Sequence, residues 1–250
     1  MQDLSALMRL EPAPAAGPAG ENRRWTARLR DGSAVEAVLY HGDSLCISCQ
    51  VGCAVGCPFC ASGANGLGRG LTLEELQAQV LAVEALGHPV SRVTVSGVGE
   101  PLHVRATGEF IAWCRSRRLA PSLTTSGGPV LKLREMIHQH HNGLTVSVHA
   151  GTEATRVRAV PRGPALEPLF AALAEEIPKL SRSRVRKIAL AFLMIEGLND
   201  SDHELDAFAE RALPLGIWTH LYAFNPVPTS AHRPVSRARY ERAYNRLTAA

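Results

Sequence analysis

The chain has 250 residues, of which 46% are hydrophobic and 20% are charged, and its formal net charge is +4. These values are typical of a globular protein, and the length suits one large α/β barrel or two small domains. No apolar run approaches the ~20 residues of a membrane span, and the pattern of a signal peptide is missing, so we expect a cytoplasmic protein with no membrane partner. The mildly basic charge permits a nucleic-acid partner.

The beginning of the chain predicts a lead-in followed by a β-hairpin. Residues 1–21 contain the run EPAPAAGPAG, which predicts a flexible lead-in to a core domain over residues 22–250. Apolar and polar residues then alternate on both sides of Asp31-Gly32, a dipeptide typical of tight turns between antiparallel strands. The sequence therefore predicts a short N-terminal β-hairpin within residues 22–45.

The cysteines are concentrated in one segment. Five of the six lie within fifteen positions, and Cys53, Cys57 and Cys60 form a C-x3-C-x2-C run. A four-iron cluster normally takes four cysteine ligands, so three of them leave one iron open to a small molecule. The spacing therefore predicts one 4Fe–4S cluster with Cys53, Cys57 and Cys60 as its metal ligands.

Zinc and disulfides are alternative uses of these cysteines. Cys46-x2-Cys49 and Cys57-x2-Cys60 can be read as a four-cysteine zinc site, but only seven residues separate the pairs, fewer than zinc ribbons use. A disulfide-stapled fold is disfavoured because the cysteines are few and no secretory signal precedes them. Cys114 follows Trp113 in a helical pattern and is interpreted as a buried structural thiol.

After the cysteine segment, strand patterns alternate with helical periodicity. Besides the strand that leads into Cys46, the predicted strands are 91–96, 122–125, 144–149, 187–195 and 218–224. The predicted helices are 72–87, 106–118, 129–138, 165–177, 201–213 and 236–248. Six βα units predict an α/β fold with a parallel sheet and an open, TIM-like partial barrel. In such barrels the functional residues gather at the carboxyl ends of the strands.

Six short motifs connect the chain to a known family. LCISCQVGC, GVGEPL, TTSGG, VSVHA, GLNDSD and FNPVP occur in this order. Through them the chain resembles the radical SAM superfamily, and more closely the RlmN/Cfr family of adenine-C2 and adenine-C8 RNA methyltransferases, from about residue 22 to residue 246. The resemblance implies a partial (β/α)6 barrel that binds a 4Fe–4S cluster and S-adenosylmethionine. It also implies reductive formation of a 5′-deoxyadenosyl radical, an rRNA or tRNA substrate, and an electron donor such as flavodoxin or ferredoxin.

The resemblance also implies roles for individual residues. Cys53, Cys57 and Cys60 match the cluster ligands. The positions that match the S-adenosylmethionine site are Gly99, Glu100, Thr124, Ser147, Val148, His149 and Asn225, with Phe59 beside the adenine. Glu36 matches the catalytic acid/base and Cys46 the cysteine that resolves the enzyme–RNA adduct, although Glu36 can also be read as a solvated strand residue.

The chain departs from the family pattern in three ways. No cysteine follows Cys114, whereas the family carries its methyl group on a cysteine near the C-terminus. We expect no counterpart of the family's N-terminal extension before the hairpin, and Cys49 stands where the family commonly has serine. These departures keep two alternatives open: a radical SAM enzyme that abstracts hydrogen from a peptide or small metabolite, and a non-catalytic relative that binds the cluster or RNA. The oligomeric state is left open.

Overall fold

A computed structural model describes residues 7–14 and 22–249, and no helix within these ranges is long and apolar enough to span a membrane. The chain divides into two compact units. The first contains the residues up to Ala54 together with Asn65–Thr124 and Gln139–Gly143. The second contains Val55–Ala64, Thr125–His138 and the residues from Leu144 onward. The cysteine segment therefore contributes to both units.

The first unit is built around a sheet. Its elements are β1 (Met8–Pro12), β2 (Arg23–Leu29), β3 (Ala34–Tyr40), β4 (Ser44–Ile47), β5 (Gln50–Gly52), β6 (Leu67–Gly70), α1 (Leu73–Ala85), β7 (Arg92–Val95), α2 (Thr107–Ser116) and β8 (Ala120–Thr125). The strand order is β1-β2-β3-β4-β7-β8. The β1–β4 pairs are antiparallel, whereas β4–β7 and β7–β8 are parallel. β5 and β6 form a separate antiparallel pair.

The predicted hairpin is confirmed, and it gains a strand that the sequence did not predict. β2 and β3 pair through Arg28 and Ala34 around Gly32, whose φ of +85° is a conformation that glycine adopts at little cost. β1 then pairs with β2, so the described residues 7–14 are not the flexible lead-in that we expected. The rest of that lead-in, residues 1–6 and 15–21, lies outside the described residues.

The second unit contains the remaining βα units. Its elements are α3 (Val130–His138), β9 (Gly143–Ser147), α4 (Glu153–Ala159), α5 (Leu166–Glu176), α6 (Arg182–Val185), β10 (Ile188–Met194), α7 (Asp202–Ala212), β11 (Trp218–Ala223) and α8 (Arg237–Ala249). β10 pairs in parallel with both β9 and β11. Phe192 of β10 packs on Phe208 of α7 with ring centroids 4.8 Å apart, which places the apolar core between strand and helix.

Candidate functional site

The first part of the cysteine segment is fixed by two close backbone contacts. The N–H of Cys53 donates to the carbonyl of Gly66 at 3.0 Å. Gly52 has φ of +76°, and a Cβ added there would lie 1.9 Å from the Gly66 oxygen. Only glycine fits this close approach between β5 and the turn before β6. Cys53 is 8% exposed and begins a short loop. The contacts with Gly66 hold the start of this loop in place.

The second part carries the other two cysteines of the C-x3-C-x2-C run. The N–H of Cys60 donates to the carbonyl of Cys57 at 3.1 Å, so a tight turn separates the two half-buried thiols. Phe59 lies within this turn, and its ring meets the ring of His149 edge-on, with centroids 5.5 Å apart. The structure thus brings together Phe59 and His149, two of the residues predicted for the S-adenosylmethionine site.

The donor set consists of three cysteine thiols, which is the ligand chemistry of an iron–sulfur cluster. Within the ranges that the structure describes, no three His, Cys, Asp or Glu side chains form a group able to hold one metal ion. The cysteines of a four-iron cluster bind separate irons, so they need not converge on one point. Three thiols on a tightly turned loop satisfy this chemistry.

The turn after β7 carries Gly99 and Glu100. Glu100 is 3% exposed, and its Oε1 accepts the N–H of Leu102 at 3.1 Å, which caps a short helical turn. The side-chain Oε1 of Gln50 accepts the N–H of Glu100 at 2.8 Å. Glu100 is therefore a buried carboxylate whose main chain is held by the residue that begins β5.

Cys49 is a buried thiol beside this turn. It is 2% exposed, and a Cβ added at Gly99 would lie 2.8 Å from its Sγ. Burial, followed by the charges of Glu100 and Cys53, raises the pKa of Cys49 well above its usual value. At neutral pH Cys49 is a protonated thiol packed against the turn.

Cys46 and Glu36 lie on the same face of the sheet. Cys46 is opposite Val38 in the β3–β4 pair, and Glu36 precedes Val38 by two residues. The Sγ of Cys46 lies 3.2 Å from the Oγ of Ser96. Burial raises the pKa of Cys46, although the Ser96 hydrogen bond opposes the shift. The carboxylate of Glu36 forms an ion pair with Arg24, so it is not simply solvated.

Polar side chains continue along this face, a feature that our sequence analysis missed. Cys46 is in register with Thr94 of β7, and Thr94 with Ser122 of β8. The hydroxyls of Thr94 and Ser122 lie 2.8 Å apart, and that of Tyr40 lies 3.3 Å from Thr94. The available signal was the alternation of these hydroxyl residues with buried Val and Leu, which shows that one strand face is polar.

His149 is held in an unusual conformation at the end of β9. Its φ is +57°, which is uncommon outside glycine. Its Nδ1 accepts the N–H of Leu193 at 3.0 Å, and its carbonyl accepts from the side-chain amide of Asn199 at 2.8 Å. Burial, followed by the charge of Arg156, lowers the pKa of His149 to about 3. The ring is therefore neutral, and Nε2 is its hydrogen-bond donor.

Arg156 binds the backbone at the same end of β9. It is 1% exposed, and its guanidinium donates to the carbonyls of Ser147 at 2.8 Å, Val148 at 2.7 Å, Ser126 at 2.7 Å and Pro164 at 3.0 Å. The carbonyls of the two predicted cofactor residues Ser147 and Val148 are thus fixed by one planar side chain.

The last two predicted residues lie at strand ends in different units. Thr124 is half-buried near the end of β8, and Asn225 is exposed two residues after β11. Among the described residues, neither side chain has a hydrogen-bond partner. Both side chains are therefore available to a ligand.

The chain is similar to known proteins both in sequence and in structure. The family model for the radical SAM superfamily matches residues 47–211. The chain is 34% identical to a probable dual-specificity RNA methyltransferase RlmN of Desulforudis audaxviator, covering 87% of this chain and 71% of that protein. It is 33% identical to the dual-specificity RNA methyltransferase RlmN of Alkalilimnicola ehrlichii, covering 87% and 64%. It therefore spans about two thirds of the length of these relatives.

A solved structure supports the fold. The crystal structure of a radical SAM methyltransferase from Sphaerobacter thermophilus aligns with a TM-score of 0.84 and 30% identity, covering 96% of this chain and 74% of that one. The predicted α/β fold, a TIM-like partial (β/α)6 barrel with an N-terminal hairpin, is confirmed by this alignment and by the mostly parallel strands.

Proposed function

Because the chain belongs to the radical SAM superfamily and, within it, to the family of RlmN-type RNA methyltransferases, we propose that it modifies an adenine in rRNA or tRNA. The family implies an iron–sulfur cluster and S-adenosylmethionine as cofactors. The observation that carries the proposal is the fixed C-x3-C-x2-C loop, which occurs together with the buried Glu100 turn and the Phe59–His149 pair.

The three cysteines of the loop would hold a 4Fe–4S cluster. Cys53, Cys57 and Cys60 would each supply a thiolate ligand, which would leave one iron of the cluster without a protein ligand and open to S-adenosylmethionine. When bound, the two cofactors together supply a 5′-deoxyadenosyl radical. Cys53 is nearly buried and lies in a loop that Gly66 holds by a hydrogen bond, so the chain limits the access of water to the cluster.

Polar and aromatic residues at the strand ends would bind S-adenosylmethionine. The Glu100 carboxylate suits the ammonium group of the methionine part, because burial strengthens a charge-assisted hydrogen bond. The neutral ring of His149 offers an Nε2 donor, and Phe59 offers an apolar ring to the adenine. The full set that we assign to this cofactor is Phe59, Gly99, Glu100, Thr124, Ser147, Val148, His149 and Asn225.

Two residues on the polar sheet face would act on the substrate. Cys46 is a protonated thiol in contact with Ser96, so at neutral pH it needs a base before it can act as a nucleophile. Glu36 lies on the same face and is near enough to affect the pKa of Cys46. We assign Glu36 as the catalytic acid/base and Cys46 as the thiol that resolves the enzyme–RNA adduct.

The proposal is tested by analysing products from anaerobic, cluster-loaded protein. The reaction contains methyl-labelled S-adenosylmethionine, rRNA or tRNA, and flavodoxin or ferredoxin as the proposed electron donor. We expect the protein to form 5′-deoxyadenosine. We expect labelled methyl groups on adenine in the RNA only when a thiol able to carry the methyl group is present in the reaction. Protein that holds the cluster but forms no 5′-deoxyadenosine with any donor would contradict the proposal.

A further inference from the structure

We propose that Gln50 is a positioning residue that holds the Glu100 turn in the shape that binds S-adenosylmethionine. The inference rests on the proposed function, because it takes Gly99 and Glu100 to be cofactor-binding residues. Gln50 is 2% exposed, and its Oε1 accepts the backbone N–H of Glu100 at 2.8 Å. A buried glutamine therefore fixes the main chain at the residue whose carboxylate contacts the cofactor.

The backbone of the same segment adds three hydrogen bonds. The N–H groups of Cys49 and Gln50 both donate to the carbonyl of Val98, at 2.9 and 3.1 Å. The carbonyl of Cys49 accepts the N–H of Leu71 at 2.9 Å. The backbone of Gln50 is thus held in place. Its side-chain hydrogen bond therefore restrains the turn formed by Val98, Gly99 and Glu100.

Packing at Gly99 shows how closely the two segments fit. Gly99 has φ of +117°, and a Cβ added there would lie 2.7 Å from the Cβ and 2.8 Å from the Cγ of Gln50. The stem of Gln50 therefore lies against the Cα of Gly99 while its amide oxygen reaches Glu100. One side chain restrains both predicted cofactor residues of this turn.

Gln50 also connects the Glu100 turn to Cys53 along the chain. Gln50 begins β5, and Cys53, the first proposed cluster ligand, lies three residues further on. Movement of the cluster loop at Gln50 would change the position of the Glu100 N–H. Cys53 and the Glu100 turn, which both belong to the first unit, are therefore expected to keep a fixed relation.

The test compares Gln50→Met, which keeps the length and packing of the side chain, with Gln50→Glu, which keeps an oxygen acceptor for Glu100. Gln79→Met is the matched control. Gln79 is 0% exposed, and its amide bonds the N–H and carbonyl of Ser48 at 3.0 and 2.9 Å. It is thus an equally buried glutamine that does not contact the Glu100 turn. S-adenosylmethionine affinity is measured by equilibrium dialysis on cluster-loaded protein, together with iron content and melting temperature.

We expect Gln50→Met to keep its iron and to bind S-adenosylmethionine about tenfold more weakly. Gln50→Glu should bind more tightly than Gln50→Met, and Gln79→Met should bind like the wild type even where its melting temperature falls by as much. Wild-type affinity in Gln50→Met, or equal losses in all three variants, would overturn the proposal. The variant Glu100→Ala distinguishes a wrong cofactor site from a wrong role of Gln50. If Glu100→Ala binds S-adenosylmethionine normally, the proposed cofactor site is wrong. If Glu100→Ala binds it weakly and Gln50→Met binds it normally, only the role of Gln50 is rejected.

Discussion

The backbone N–H of Leu193 donates to Nδ1 of His149 at 3.0 Å, which fixes the tautomer of a buried imidazole. A backbone N–H can only donate, so Nδ1 must carry a lone pair and Nε2 must carry the hydrogen. Asn199 donates to the carbonyl of His149 and accepts the N–H of Ile195, and it thereby braces the same residue. The His149 ring is therefore held in its neutral form, with Nε2 as its hydrogen-bond donor.

His149 should therefore resist protonation. Burial, followed by the charge of Arg156, lowers its pKa from 6.5 to about 3, whereas in the unfolded chain the ring takes up a proton near its ordinary value. Below pH 6.5 the unfolded state binds the additional proton, so this residue makes the protein less stable as pH falls towards about 3. Imidazole 15N shifts should show the neutral Nε2–H form of His149 at pH 5, and imidazolium shifts there would contradict the prediction.

Arg156 should not tolerate replacement by lysine. Its planar group bonds four backbone carbonyls, including those of Ser147 and Val148, and lysine has a single donor group of different shape. We expect Arg156→Lys to lower the free energy of unfolding by about 2–4 kcal/mol, since buried carbonyls lose their partners. Arg117→Lys is the control, because Arg117 pairs with Glu84 at the surface and should change stability by less than ~1 kcal/mol. Equal costs in denaturant titrations would refute a special role of Arg156.

Local signals in the sequence predicted much of the fold. The helical periodicity of residues 72–87 predicted α1, and the structure shows both hydrogen bonds of a capping box between Thr72 and Glu75 at its start. The dipeptide Asp31-Gly32 likewise predicted the turn between β2 and β3. Each of these signals depends on residues only a few positions apart, so no knowledge of the tertiary structure was needed to interpret them.

Features that depend on distant contacts were missed. Strand β1 forms because β2 offers an edge to Met8–Pro12, and nothing within the proline-containing segment predicts that pairing. Asn199 entered our sequence analysis only as part of the motif GLNDSD, yet it is 0% exposed and its amide donates to the carbonyl of His149. The roles of Gln50 and Arg156 likewise depend on carbonyl and amide groups that the fold brings to them. Sequence motifs predicted the cofactor residues, but the residues that hold those positions in place were recognised only from the structure.

The three loop cysteines should account for the bound iron. Anaerobically reconstituted protein should contain about four irons per chain. Cys53→Ala, Cys57→Ala and Cys60→Ala should each lose most of that iron. Cys114→Ala is the control: its thiol is 0% exposed in α2, so the change can reduce stability without removing a ligand. Zinc in place of iron in protein purified without oxygen, or full iron in all four variants, would show that the ligand assignment is wrong.

The final prediction concerns the thiol that accepts a methyl group. A thiol attacks the sulfonium of S-adenosylmethionine as its thiolate. Apart from the proposed ligands, the 250-residue chain contains only Cys46, Cys49 and Cys114. Burial is the leading cause of a raised pKa at each of them, and it brings that of Cys114 to about 12. All three are therefore poor nucleophiles at neutral pH.

We accordingly expect this chain alone to form 5′-deoxyadenosine but little or no C2-methyladenosine in RNA, and mass spectrometry should find no methylated cysteine. Adding a peptide that carries a reactive cysteine serves as a positive control for methyl acceptance. A methyl group on Cys46 or Cys49, accompanied by methylated adenine, would contradict the prediction. It would show that the protein converts that thiol into a nucleophilic thiolate when the cofactors bind.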